Sequence, residues 1–207
     1  MISVNDARDI EKSAQEKGIT TLQLMENAGA NTAKIINDKI PLKDKNLIVF
    51  CGTGNNGGDG FVFARHAKIL GAKVSVFLAK KSSEIRTVDA KINFKILKNY
   101  QFDIYEKELP EEQLKKADII VDALLGFGIK GKVTEPYATT IQKINNSKSF
   151  TISVDIPSGI DADTGEVLGI SVKPNMTITL HDMKKGMKKE NSEEIRVVDI
   201  GIPKGFL

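Results

Sequence analysis

The sequence predicts an α/β fold, a three-layer α/β/α sandwich around a Rossmann-like, mostly parallel sheet. Three observations predict it. Continuous apolar runs such as Leu47-Ile-Val-Phe-Cys51 suit strands covered on both faces, as parallel strands are. These runs alternate with segments of helical periodicity. A glycine-rich segment follows the first run directly, where α/β proteins hold their ligands. No Pro-, Gly- or Ser-rich linker and no internal repeat divides the chain, so one domain over 1–207 is expected.

Taken in order, residues 1–39 read as two helices, with apolar positions at Ile10 and Ala14, then at Leu22, Met25, Ala28 and Ala33. Gly18 separates them, Thr20 or Thr21 caps the second, and Pro41 ends the region. A strand at 47–51, a loop at 52–60, a helix at 61–70 closed by Gly71 and a strand at 73–79 make one βαβ unit. The pattern then repeats more loosely. Helices are expected at 85–99, 110–116 and 135–145, and strands at 102–105, 118–122, 150–154, 176–180 and 195–199.

Composition narrows the function. Thirty basic against 27 acidic residues leave a net charge of +3, and Trp is absent, so a nucleic-acid surface is not expected. The basic residues are scattered apart from the pairs Lys184-Lys185 and Lys188-Lys189. No apolar run has the length of a membrane span. The charged N-terminal stretch lacks an apolar signal core, and the only cysteine is Cys51, so a cytoplasmic protein without disulfides is expected. Cys51 reads as core, His66 as structural or solvated, and His181, which follows a strand, as structural with a crevice-facing position as the alternative; the chain lacks a His/Cys set for zinc.

Ligands of open α/β sheets bind beyond the carboxyl ends of the strands. Three loops meet this condition: Gly52-Thr-Gly-Asn-Asn-Gly-Gly-Asp-Gly60, Asp122-Ala-Leu-Leu-Gly-Phe-Gly-Ile-Lys-Gly-Lys132 and Asp155-Ile-Pro-Ser-Gly-Ile-Asp161. Each combines glycines with a carboxylate, and the three are expected to converge on one crevice. In the first, glycines let backbone N–H groups approach a phosphate, while Asn55, Asn56 and Asp59 can grip hydroxyls, an amide or a cation; a capped tight turn is the alternative. In the second, Lys130 and Lys132 suit an anionic ligand such as a diphosphate, with an ordinary surface loop as the alternative. In the third, Asp155 is the preferred acid/base, because a partly desolvated carboxyl group can move protons near neutral pH; a turn-closing Asp is the alternative. Asn56, Asp122 and Ser158 also offer oxygens to a hard cation. An ordinary NAD fingerprint needs an acid after the second strand, where this chain has Ala79-Lys80-Lys81. A hydride-transferring oxidoreductase is therefore disfavoured. A non-catalytic nucleotide-binding module is the other rival.

At these loops the sequence resembles the NAD(P)H-hydrate epimerase family, also called the YjeF N-terminal domain. The matching segments are Leu24-Met-Glu-Asn-Ala-Gly29, Gly52-Thr-Gly-Asn-Asn-Gly-Gly-Asp-Gly60, Val121-Asp-Ala-Leu-Leu-Gly-Phe-Gly128, Val154-Asp-Ile-Pro-Ser-Gly-Ile-Asp161 and Val198-Asp-Ile-Gly-Ile-Pro203. The resemblance implies epimerisation of the R and S forms of hydrated NADH and NADPH (NADHX and NADPHX), a repair step that supplies the S form to a separate ATP- or ADP-dependent dehydratase. It implies a stand-alone enzyme, a homodimer and one potassium ion per subunit. Carried over by motif, Asn55, Asn56, Gly57, Gly58 and Asp59 contact the dinucleotide, as do Gly126, Phe127, Gly128, Ile129, Lys130, Gly131 and Lys132. Asn56, Asp122 and Ser158 hold potassium, and Asp155 touches substrate near the reacting ring.

Overall fold

The computed structural model describes residues 1–106 and 108–203. Residues 204–207, the end of the expected domain, lie outside the described residues. Two helices open the chain, α1 (Val4–Glu16) and α2 (Thr21–Lys39). Ser3 and Thr20 cap them through reciprocal side-chain and backbone bonds, with Asp6 and Gln23 as the third helical residues. Then follow β1 (Asn46–Cys51), α3 (Asn55–Ile69), β2 (Lys73–Leu78), α4 (Val88–Asn99), β3 (Asp103–Glu106), α5 (Glu111–Lys116), β4 (Ile119–Ala123), α6 (Tyr137–Asn145), β5 (Phe150–Val154), β6 (Met176–Leu180) and β7 (Glu194–Val198).

The seven strands form one sheet in the order β3-β2-β1-β4-β5-β6-β7, and every pairing is parallel. Strand alternation sorts the core into two layers. From β1, Leu47, Val49 and Cys51 pack with residues of α2, α3 and α4 on one face. Ile48 and Phe50 point to the other face, where Leu114 of α5 and Ile141 and Ile144 of α6 cover them. Helices on both faces explain why the central strands read as unbroken apolar runs.

Two expectations need correction. The helix expected from residue 61 begins at Asn55, so six of the nine residues of the glycine-rich loop belong to α3. Periodicity missed this because Gly57, Gly58 and Gly60 have no side chains to register a helical face. Close packing explains the glycines instead: a Cβ on Gly60 would lie 2.6 Å from the Ala123 Cβ on β4. The helix expected from residue 85 begins at Val88, after a short 3-10 turn over Ser82–Glu84.

The order of strands reverses between β1 and β4, which diverge to β2 on one side and β5 on the other. A crevice opens at the carboxyl ends of strands at such a switch point. Between β5 and β6 the chain crosses back to the opposite edge of the sheet through residues 155–175 without a helix; Asp155 at its start stays on the crevice side, and the Asn175 N–H at its end donates to the Thr151 carbonyl of β5 at 2.8 Å. Among the described residues no helix is long and apolar enough to cross a membrane.

Candidate active site

A cavity of about 620 Å³ lies at the switch point, within the range of small-molecule sites. Its wall takes Asn55, Asn56 and Asp59 from the start of α3, residues 125–134 from the loop after β4, and Asp155 from the loop after β5. The three loops therefore meet in one place. Gly126, Phe127, Gly128, Ile129, Lys130, Gly131 and Lys132 all reach the wall.

Gly57, Gly58, Asp122 and Ser158 stand behind that wall. A Cβ on Gly57 would come within 2.0 Å of the Gly52 carbonyl oxygen, so this glycine permits the tight entry into α3. Asp122 is wholly buried, and its carboxylate accepts four hydrogen bonds: from the Ser153 hydroxyl (2.8 Å), Ser158 N–H (2.9 Å), Ser158 hydroxyl (2.6 Å) and Leu124 N–H (3.2 Å). Burial pushes its pKa up against the opposing effect of these donors. No cation is paired with it among the described residues.

Asn56 is the unfinished part of the wall. Its side chain is buried, yet neither Oδ1 nor Nδ2 has a hydrogen-bond partner. It does not cap its helix, since Gly54 occupies that position without a side-chain bond. The Thr87 hydroxyl at the start of α4, also on the cavity wall, is likewise buried and unpartnered. Buried polar groups are nearly always satisfied, so orphans that share a cavity point to a polar ligand.

Asp155 faces Asn56 across Gly126: a Cβ on Gly126 would lie 3.2 Å from the Asn56 Cβ and 3.7 Å from Asp155 Oδ2. The Asp155 backbone has φ of 67°, a left-handed conformation uncommon outside glycine, and its N–H donates to the Ile178 carbonyl at 2.7 Å. Only 2% of Asp155 is exposed, and Lys184 is ion-paired with it.

Glu11 and Arg86 are wall residues that carry no signal in the sequence, whereas Asp59 is expected there. Glu11 comes from α1, and burial followed by the nearby Asp155 carboxylate raises its pKa. Asp59 is pushed well above the ordinary carboxyl range by burial, then by Asp155 and Glu11. Arg86, whose N–H donates to the Thr53 carbonyl at 2.9 Å, brings a third cation to the wall beside Lys130 and Lys132. Lys80 turns instead to Glu84 (3.7 Å) and the Tyr137 ring (5.7 Å). Helical spacing placed the Glu11 segment correctly, but nothing local marked Glu11 or Arg86 as site residues.

Of the structural histidines, His66 bonds Glu26 at 2.8 Å, away from the cavity. Cys51 is buried in the core.

An all-parallel sheet with a polar, partly unsatisfied cavity at its switch point defines a Rossmann-like protein built to hold a small ligand. The chain belongs to the family described as YjeF-related protein N-terminus, whose model matches residues 21–186. It is 38% identical to an NAD(P)H-hydrate epimerase of Nitrosopumilus maritimus, over 98% of this chain and 95% of that one. It is 40% identical to a bifunctional NAD(P)H-hydrate repair enzyme Nnr of Archaeoglobus fulgidus, where it covers 99% of itself and 42% of the relative's length. Its fold is similar to the crystal structure of yeast ynu0, with TM-score 0.84, 30% identity and coverage of 94% of this chain and 87% of that one.

Proposed function

We propose that the protein interconverts the R and S epimers of hydrated NADH and NADPH. The observation that carries this reading is the Asp155 carboxylate on the wall of a dinucleotide-sized crevice, in a chain that matches a stand-alone epimerase along nearly its whole length. The reacting carbon bears a hydroxyl group and a ring nitrogen. Protonation of the hydroxyl breaks the C–O bond, releases water and leaves an iminium stabilised by that nitrogen. Water then adds to either face and gives its extra proton back. Asp155 serves these proton transfers, and Asp59 beside it retains a proton well above the ordinary carboxyl range. Arg86, Lys130 and Lys132 suit the diphosphate.

Potassium belongs to the proposal, held by Asn56, Asp122 and Ser158. The unpartnered Asn56 Oδ1 fits an oxygen-ligated monovalent cation, and the buried Asp122 carboxylate offers it a negative charge with no cation paired to it among the described residues; direct ligation by Asp122 and Ser158 would replace hydrogen bonds they now make. The ion supplies a fixed positive charge that orients substrate and water. The proposal extends to a cytoplasmic homodimer that feeds a dehydratase. Repair enzymes named bifunctional among the relatives support that link.

The test is to add purified protein to pure R hydrate under mildly alkaline conditions and follow the S form by chromatography, with and without potassium. Accelerated appearance of S is expected, and Asp155→Asn should lose roughly 10²-fold or more in rate. Binding of the hydrate without acceleration would replace this reading with a non-catalytic binding module.

A further inference from the structure

Lys184 is 1% exposed, which is rare for a lysine. Its ammonium group has three N–H donors. One goes to Asp155 Oδ1, one to the Thr179 hydroxyl at 3.2 Å and one to the Leu180 carbonyl at 2.8 Å. All three are consumed within the protein, so none is left for a ligand. The backbone on either side is fixed too. Ile2 donates to the Met183 carbonyl at 2.8 Å and accepts from the Lys185 N–H at 2.9 Å.

The two oxygens of Asp155 differ accordingly. Oδ1 takes Lys184 and, at 3.4 Å, the Leu180 N–H. Oδ2 has no protein hydrogen bond among the described residues and lies toward Gly126 on the cavity wall. We propose that Lys184 is a positioning residue: it clamps one oxygen of Asp155 so that the other is presented to the substrate. The inference rests on the acid/base role of Asp155 given above. A carboxylate free to rotate on its left-handed backbone turn would spend less time in a productive geometry, and misplacement of about 1 Å can cost on the order of 10²-fold in rate. Because Lys184 has no donor free for substrate, its loss should act on kcat and leave KM nearly unchanged.

The test is epimerisation by Lys184→Ala with and without added primary amines. A fall in kcat of roughly 10²-fold with KM within about 3-fold of wild type is expected. Propylammonium, which matches the deleted part of the side chain, should restore rate saturably. Tetramethylammonium, which has no N–H to donate, should not. A merely structural lysine would show no such selectivity. Thr179→Val, nearly isosteric, removes one anchor of the ammonium and should lower kcat several-fold with KM unchanged; it also serves if Lys184→Ala does not fold. Wild-type kcat in a folded Lys184→Ala, or loss without amine rescue, overturns the inference, as does wild-type kcat in Thr179→Val. Asp155→Asn run alongside separates the failures. If that variant stays active, the role of Asp155 is wrong; if it is inactive while Lys184→Ala is not, only the positioning role is wrong.

Discussion

Ser158 donates its backbone N–H to one oxygen of Asp122 and its hydroxyl to the other, at 2.9 and 2.6 Å. The Ser158 hydroxyl also accepts from the Leu125 N–H at 2.8 Å. One side chain thus ties the loop after β5 to both the end of β4 and the loop that forms the cavity wall. Ser158→Ala leaves Asp122 buried with a donor missing and Leu125 N–H without its acceptor. A loss of about 1–3 kcal/mol in urea unfolding is expected. The potassium dependence of epimerisation should weaken in the same variant, as tested by titrating the ion.

Asp59 couples stability to pH. An unfolded aspartate titrates near 3.9, while burial and the neighbouring carboxylates raise the folded value well above that. Between the two values the folded chain keeps a proton that the unfolded chain has lost, so stability falls as pH rises through the window. Glu11 is shifted in the same direction. Asp59→Asn removes the Asp59 contribution. The variant should be more stable than wild type above neutral pH, and the gain should vanish near pH 4. Urea unfolding at several pH values checks this; parallel curves for the two proteins would refute it. Epimerisation should fall in the same variant.

Two glycines of the predicted site should respond oppositely to alanine. A Cβ on Gly57 meets the Gly52 carbonyl at 2.0 Å, whereas one on Gly128 meets nothing within 4 Å. Gly57→Ala should cost roughly 2–4 kcal/mol of stability through forced displacement of the loop. Gly128→Ala should stay within about 0.5 kcal/mol of wild type. Thermal unfolding of both proteins compares them directly.

Arg86 is exposed at the cavity wall, and no ion pair engages it among the described residues. Arg86→Gln should raise KM for the hydrated dinucleotide about 10-fold, the scale of one charge-assisted hydrogen bond, with little change in kcat. The KM of the variant should also depend less steeply on salt. Steady-state kinetics at two ionic strengths test both points. Comparing NADHX with NADPHX in the same experiment shows whether Arg86 reads the additional phosphate.

Much of the framework was legible in the chain order of the residues. The runs that became β1 and β4 are apolar because helices cover both faces, and a one-dimensional pattern records that; β5 and β6 alternate apolar with Thr or Ser instead. Glycine-rich turns placed directly after strands located the crevice, and the Asn55–Gly60 and Asp155–Gly159 motifs carried the family resemblance. The start of α3 was not legible, since three glycines within six residues erase the helical signature and their cause is contact with Gly52, Met25 and Ala123.

The sequence alone determined the parallel α/β architecture and the identity of three loops at one edge, because strand burial and turn chemistry are local properties. Only the tertiary structure decided which atoms of those loops face one another. Lys184 stood in the sequence as half of an ordinary basic pair, yet it is buried against Asp155, 29 positions away. Glu11 and Arg86 reach the cavity from segments without a chemical signature, while Asp122 and Ser158 withdraw behind its wall. These assignments depend on distances between chain segments far apart in sequence, and packing around the switch point fixes them.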